Sequence, residues 1–273
     1  MIKTKQDNTT FRTFTSISDL VSYIKTKENC KAYKDFMNDN GFLFFHSDTV
    51  GHKEFCGTET WEEAEELLLH GWGHGAREIK RLLDTKQIYG VETKQKNVYD
   101  VAGFQCSVPR YLQGIPTNMV NKKNISQKNK VITINKCIAY ASKIKQNEIM
   151  SQAVKTLQLV NRLEKQGYRV NLNIIFGTYK WSYKYIYKVC IKPSSQRLNI
   201  KQIAFPLVHP SMLRRVMMMV MEKEEEVELK EMYKGYGYPM KEEVIKQYCN
   251  KGELLINSFV HEKEILNIKT YKV

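Results

Sequence analysis

The sequence predicts an α/β protein, and three observations carry that prediction. Residues 130–176 read as strand, helix, strand: Val131-Ile132-Thr133-Ile134, a polar loop, an amphipathic helix ending at Gly167, then Arg169-Val170-Asn171-Leu172-Asn173-Ile174-Ile175-Phe176. Two parallel strands need a crossover of this kind, and ligand sites in the resulting sheets lie beyond the strand C-termini. The alternation of strand and helix patterns then continues to the end of the chain, as expected of a layered α/β domain. Finally, 273 residues with 42% hydrophobic and 11% aromatic side chains can bury a sizeable core.

In chain order, residues 1–15 read as a polar arm. A helix starts at Ser18-Asp19-Leu20, with Ser16 or Ser18 as its cap. Gly41-Phe42-Leu43-Phe44-Phe45 is a short apolar run with the character of a strand. Thr60-Trp61-Glu62-Glu63 is a capping-box pattern whose acidic first turn suits the helix dipole; that helix stops at Gly71, and another begins near Gly75. Tyr99–Met119 contains Gly103, Pro109, Gly114 and Pro116 and reads as loop with at most short elements. After the βαβ unit, Tyr185–Lys192 alternates like an edge strand paired to its predecessor, and a helix covers Asn199–Leu207. Pro210 opens a further helix through Met217–Met221 to Met232, ended by Gly235–Pro239; a short helix (Lys241–Tyr248) and a strand (Glu253–Phe259) complete the pattern.

The division this implies is a smaller mixed, mainly helical N-terminal region (1–120), a basic linker (121–130) and an α/β domain (131–273). Six scattered cysteines, no two closer than 26 residues, offer neither a CxxC pair nor a zinc spacing and are expected to be reduced thiols. No apolar run approaches the roughly 20 residues that span a bilayer, and no hydrophobic stretch follows the N-terminal charges, so a membrane role and a secretory signal are not expected.

The net charge of +14 is not spread evenly. Residues 91–215 hold 22 Lys and Arg against 4 Asp and Glu, a net of +18, while the rest of the chain is neutral or slightly acidic. A field concentrated in this way favours a polyanion or an acidic protein partner. Within it, Tyr179–Lys188 interleaves aromatics with lysines. Lys180, Trp181, Tyr183, Lys184 and Lys188 are the residues expected to stack on and neutralise nucleic acid. The competing reading is an edge hairpin, its aromatics covering the core and its lysines blocking further pairing. Arg214 and Arg215, in the first turns of a helix, oppose its dipole; they either bind phosphate beside the helix N-terminus or pair with a carboxylate and with solvent. His70 and His74 are four apart and could ligate zinc, but Gly71, Gly73 and Gly75 favour a helix end followed by a tight turn. No Ser-His-Asp order, GxSxG elbow or phosphate loop is present, so no catalytic residue and no cofactor are assigned.

Residues 130–260, with their strand, helix, strand, antiparallel strand, helix, strand order and the passage Leu163-Glu164-Lys165-Gln166-Gly167-Tyr168-Arg169-Val170, resemble the von Willebrand A-type fold, a Rossmann-like three-layer sheet. That family places Asp-x-Ser-x-Ser at the end of its first strand to hold a divalent cation. The matching positions here are Asn135, Cys137 and Ala139, which lack the charged oxygen ligands a hard cation needs, so the resemblance implies a fold whose metal site is lost. The Trp61-Glu62-Glu63-Ala64, Gly71-Trp72, Asp100-Val101-Ala102-Gly103, Gly114-Ile115-Pro116 and His209-Pro210-Ser211-Met212-Leu213-Arg214-Arg215 segments together resemble an uncharacterised family of tailed-bacteriophage proteins. That resemblance implies a viral protein in the host cytoplasm or the virion. The expectation is a non-enzymatic binding protein engaging DNA or RNA during infection. The alternatives are an assembly module that binds a host or virion protein, and a priming protein linked to genome ends. The sequence leaves the oligomeric state open.

Overall fold

The structure is a computed structural model, described here for residues 2–6, 8–28, 53–84, 95–124, 131–140, 144–180, 183–222 and 238–258. The molecule is α/β. Its main sheet runs in the order β1-β2-β8-β7-β6-β10. These strands are β1 (Ile2–Gln6), β2 (Thr9–Phe14), β6 (Val131–Cys137), β7 (Arg169–Lys180), β8 (Tyr183–Lys192) and β10 (Leu254–Ile256). A short β9 (Tyr238–Pro239) pairs with the end of β7.

The βαβ unit forms as expected. Helix α6 (Gln146–Lys165) carries the chain from β6 to β7, and the two strands are parallel, with Ile134 opposite Leu172 and Lys136 opposite Ile174. Its apolar stripe, Ala153, Val154, Leu157, Val160 and Leu163, is buried because residues three and four apart share a helix face. Strand β10 is parallel to β6 on the other side. Strand β8 returns antiparallel to β7, so a hairpin follows the crossover.

Two expectations fail on the same side of the sheet. Residues 1–15 are not a polar arm but the antiparallel hairpin β1–β2, in which Thr10, Arg12 and Phe14 are buried. Alternation of threonine with aromatic and basic residues satisfies a half-buried strand as well as it satisfies a loop. Strand β2 pairs in parallel with β8, Phe11 opposite Ile186, so β8 is an interior strand rather than an edge. Tyr185, Ile186, Tyr187 and Val189 are accordingly buried, and Lys188 is only 8% exposed.

The N-terminal helices share the core of the second half. Helix α1 (Ile17–Glu28) is capped by Ser16, whose Oγ accepts from Asp19 N at 3.1 Å, while Asp19 accepts in return from Thr15 N. After the one-turn helix α2 (Lys53–Cys56), α3 (Trp61–His70) starts where the Thr60 hydroxyl accepts from Glu63 N at 3.1 Å. The Glu63 carboxylate reaches back one residue further than the sequence pattern implies, to Glu59 N at 2.7 Å. Gly71 ends α3 at φ +87, where a Cβ would lie 2.7 Å from Lys201 O, so both backbone and packing require glycine. Helix α4 (Gly73–Asp84) follows at once. Leu20, Ile24, Trp61, Leu68 and Ile79 belong to one cluster with Ile174, Tyr187, Phe205 and Val220. The 121–130 boundary thus does not separate two cores, and residues 121–124 are strand rather than linker.

Past β8, α7 (Ile200–Val208) begins at Asn199, whose side chain accepts from Lys201 N. The helix expected from Pro210 is present but irregular. Met212–Met217 is π-helical and passes into α8 (Met218–Glu222). Helix α9 (Glu242–Lys246) lays Ile245 over Gly177 of β7. The apolar run Gly41–Phe45 and the helix beyond Glu222 lie outside the described residues.

Residues 95–124 make a second, separate sheet in the order β3-β5-β4, from β3 (Gln95–Asp100), β4 (Gln105–Cys106) and β5 (Met119–Asn124). A one-turn helix α5 (Val108–Leu112), with Pro109 in its first turn, bridges β4 to β5. Tyr99–Met119, read as loop with at most short elements, holds just such elements, the two-residue β4 and the five-residue α5, between the ends of β3 and β5. Gly103 lies against Val120, where a Cβ would come within 2.1 Å of the carbonyl oxygen.

Candidate interaction surface

Of the residues singled out for nucleic acid, Lys188 and Arg215 are buried. Lys188 is buried in the sheet, and its Nζ donates to Glu253 Oε2 at 2.7 Å, with both side chains nearly covered. The same carboxylate accepts from Asn135 Nδ2 at 2.7 Å and from Asn250 Nδ2 at 3.0 Å, and these bonds hold the Glu253 carboxyl below its ordinary range against the opposing effect of burial. Asn173 donates to Asn135 Oδ1 at 2.9 Å. Asn135 therefore serves a network that ties β10 to the sheet centre. Cys137 and Ala139, the other two positions matched to the metal motif, are buried, and no group of three or more metal-ligating side chains occurs among the described residues.

Arg215 is fully buried. Its Nε donates to Thr58 Oγ1 at 3.0 Å and one terminal nitrogen donates to Thr58 O at 3.0 Å. Ser211 adds bonds to Cys56 O at 2.6 Å and to the Thr58 hydroxyl at 2.9 Å. The ring of His209 stacks on Phe205 and meets Trp72 edge-on, its Nδ1 accepts from Ser211 N at 3.2 Å, and burial lowers its pKa to about 4. The His209–Arg215 motif is thus a clasp that holds the Cys56–Glu59 turn against α7. It is unavailable to phosphate at Arg215. Arg214 is half-buried, with its guanidinium pKa lowered by desolvation. Lys184 is exposed on β8, whereas Trp181 and the side chains of Lys180 and Tyr183 lie outside the described residues.

His70 and His74 are both exposed. His70 ends α3 with Glu66 3.9 Å away, and His74 lies in the first turn of the next helix beside Trp72. They sit on different helices, so the four-residue spacing does not place them on a shared helical face.

The surface the sequence reading missed is the small sheet. None of residues 97–122 is buried. Six of the seven large hydrophobics exposed among the described residues lie there: Tyr99, Val101, Phe104, Val108, Tyr111 and Leu112, at 52–77% exposure. Its internal order is polar and cation–aromatic. Arg110 lies 4.2 Å from the Tyr99 ring centre and donates to Thr117 O at 3.0 Å, and Lys122 lies over Phe104 at 5.3 Å. An ordered antiparallel sheet normally buries one face. Here no residue from 97 to 122 is buried, and the exposed apolar side chains are concentrated rather than scattered. The sequence signal was the density of Val, Tyr, Phe and Leu between turn residues, which loop punctuation obscured.

No described helix is long and apolar enough to cross a membrane. The family model for a domain of unknown function, DUF7192, matches residues 2–271. No curated protein and no solved structure matches the chain.

Proposed function

The chain belongs to the DUF7192 family, and from that premise we propose that it is a non-enzymatic binding protein whose 95–124 sheet docks onto an acidic protein partner. The observation that carries this reading is the ordered sheet with no buried residue and six exposed large hydrophobics. Tyrosine, phenylalanine and arginine are the residues that anchor protein interfaces. Val101, Val108 and Leu112 offer aliphatic surface that a nucleic-acid base cannot stack on. The surrounding charge, with Arg110 and Lys122 against Asp100, selects for an acidic rim on the partner. The resemblance to tailed-bacteriophage proteins would make that partner a host or virion protein met during infection.

The test is capture from cells that make the protein, with the tagged chain and a variant carrying Tyr99→Ser, Phe104→Ser and Leu112→Ser. Each sample is divided into nuclease-treated and untreated halves. One acidic protein in stoichiometric amount, resistant to nuclease and lost in the variant, is the expected result. Equal recovery by the variant would remove the sheet from the interface.

Single-stranded nucleic acid is the second reading, favoured by the Arg110–Tyr99 and Lys122–Phe104 pairs. Both rings are more than half exposed, with a cation beside each. That reading predicts affinity falling steeply with salt and abolished by Phe104→Ser.

The second half is proposed to be von Willebrand A-like. Support comes from the order β8-β7-β6-β10, which follows the 3-2-1-4 start of a doubly wound sheet with its third strand reversed. The β1–β2 hairpin beyond β8 is an addition to that plan.

A further inference from the structure

Strand β6 is the point where the sheet reverses direction. The chain leaves it through α6 to β7 on one side, and β10 lies parallel on the other. In doubly wound sheets the crevice beyond such a reversal is where ligands sit. Lys136, next to last in β6, occupies it and is fully buried. Its Nζ donates to Gln152 Oε1 of α6 at 2.7 Å and to Asn257 O, just past β10, at 3.3 Å. Gln152 is fixed by its own donation to Ser258 O at 3.0 Å. Both acceptors of the lysine are neutral, and no carboxylate among the described residues opposes its charge. An ammonium has three donors, and the third meets only the face of the Tyr140 ring, a cation–aromatic contact rather than a counter-charge.

Tyr140 lies three residues beyond the strand, with its ring centre 5.3 Å from the Lys136 nitrogen. The ring is half-buried, yet the hydroxyl oxygen is buried and has no hydrogen-bond partner among the described residues. Burial raises the phenol pKa, so it stays a donor. Among the described residues, a buried cation with no carboxylate against it and a buried hydroxyl with no partner thus lie side by side at the C-terminal end of β6.

We propose that Lys136 and Tyr140 form a binding site for a small oxyanion, a carboxylate or a phosphoryl group, in the crevice between β6 and β10. The residues on the opposite face of β6, Asn135 with Glu253 and Lys188, are already paired and take no part. The site is independent of the 95–124 surface and stands or falls separately from it. Desolvation holds the Lys136 pKa down to about 8, the condition of a cation awaiting its counter-charge. An anion in contact with it would reverse that depression.

The test uses the full chain in chloride, acetate or inorganic phosphate at matched ionic strength. Lysine-selective NMR follows the Lys136 titration, and thermal unfolding is read in parallel. Acetate or phosphate is expected to raise the titration midpoint by about one unit or more and the Tm by about 2 °C or more. A response to acetate alone assigns a carboxylate, and one to phosphate alone a phosphoryl group. Tyr140→Phe, which removes an unpartnered hydroxyl and so should fold, is expected to weaken the response at least threefold. Lys136→Met is expected to abolish it while raising the Tm in chloride, because an unopposed buried charge is removed. A Lys136 titration indifferent to both anions would overturn the proposal, as would a Lys136→Met variant that keeps the full response.

Discussion

The buried sheet centre and the 95–124 sheet use the same residue types for opposite ends. In the first, Lys136, Lys188, Lys192 and Arg215 are all under 10% exposed, and each cationic group meets a defined set of oxygens. In the second, Lys122 and Arg110 lie over aromatic rings, and the apolar side chains beside them face solvent. A regional charge of +18 therefore does not describe a surface. Part of it is internal scaffolding, since a long cationic side chain can serve strand-end carbonyls and buried carboxylates as readily as a polyanion. What distinguishes the two regions is whether hydrophobic burial accompanies the charge.

The widest separation is expected at Arg215. Arg215→Met removes the donors to Thr58 Oγ1 and Thr58 O; the hydroxyl keeps its bond with Ser211, while the carbonyl loses this charged donor. Urea unfolding should show a loss of about 3–5 kcal/mol, as for removing two buried hydrogen bonds from a charged donor. A loss below about 1 kcal/mol would mean that the clasp is not a stabilising element. His209 supplies the next effect, and its sign follows from its burial. The folded pKa of about 4 lies below the unfolded value of 6.5, so the neutral ring is favoured in the fold. That stability is complete above pH 6.5 and is lost as pH falls toward 4, by at most about 3 kcal/mol. Unfolding free energy measured from pH 7 to 4 should decline less steeply in His209→Gln, provided the variant keeps the bond from Ser211 N.

The βαβ unit was legible because periodicity and length agree there: α6 buries its apolar stripe from Ala153 to Leu163, and Gly167 ends the passage at positive φ. The capped starts of α1 and α3 were legible because a cap is a local bond between residues three apart. The β1–β2 hairpin was not, because its strand character depends on a partner, β8, some 170 residues away, as its register shows. The roles of Lys188 and Arg215 failed for the same reason. Nothing near them in sequence names Glu253 or Thr58 as partners. The apolar surface of 97–122 was hidden differently. Glycine and proline mark turns correctly, but turns also join short strands, and exposure is a property of what the rest of the fold leaves uncovered.

A smaller effect tests the centre of the sheet. Glu253→Gln keeps the acceptor shape for Asn135 but leaves the buried Lys188 without its counter-charge. Stability should fall by about 2 kcal/mol at neutral pH. The pH window follows from the depressed carboxylate. Its contribution is complete above the ordinary glutamate value of 4.5 and is lost as pH falls through the lower folded value. The variant should therefore differ from the parent at pH 7 and converge with it in acid. Parallel denaturant curves at the two pH values distinguish this from loss of packing, which would persist at both.

The least effect is expected where the composition looks most hydrophobic. Leu112 is 77% exposed at the end of α5, and Val101 is 69% exposed. Truncating a buried leucine removes its transfer free energy and leaves a cavity, at a cost of about 2–5 kcal/mol. An exposed one has neither to lose. Leu112→Ser with Val101→Ser should shift the denaturation midpoint of the isolated chain by less than about 0.5 kcal/mol in equivalent stability. The same pair, placed at an interface, should weaken partner capture severalfold. The two measurements bear on different halves of the comparison. If the double substitution destabilised the free chain by 2 kcal/mol or so, these side chains would be covered in solution by the chain itself, and the contrast between a closed core and an open docking sheet would collapse. If stability and capture were both untouched, the sheet would be open but idle, and the partner would have to meet the molecule elsewhere.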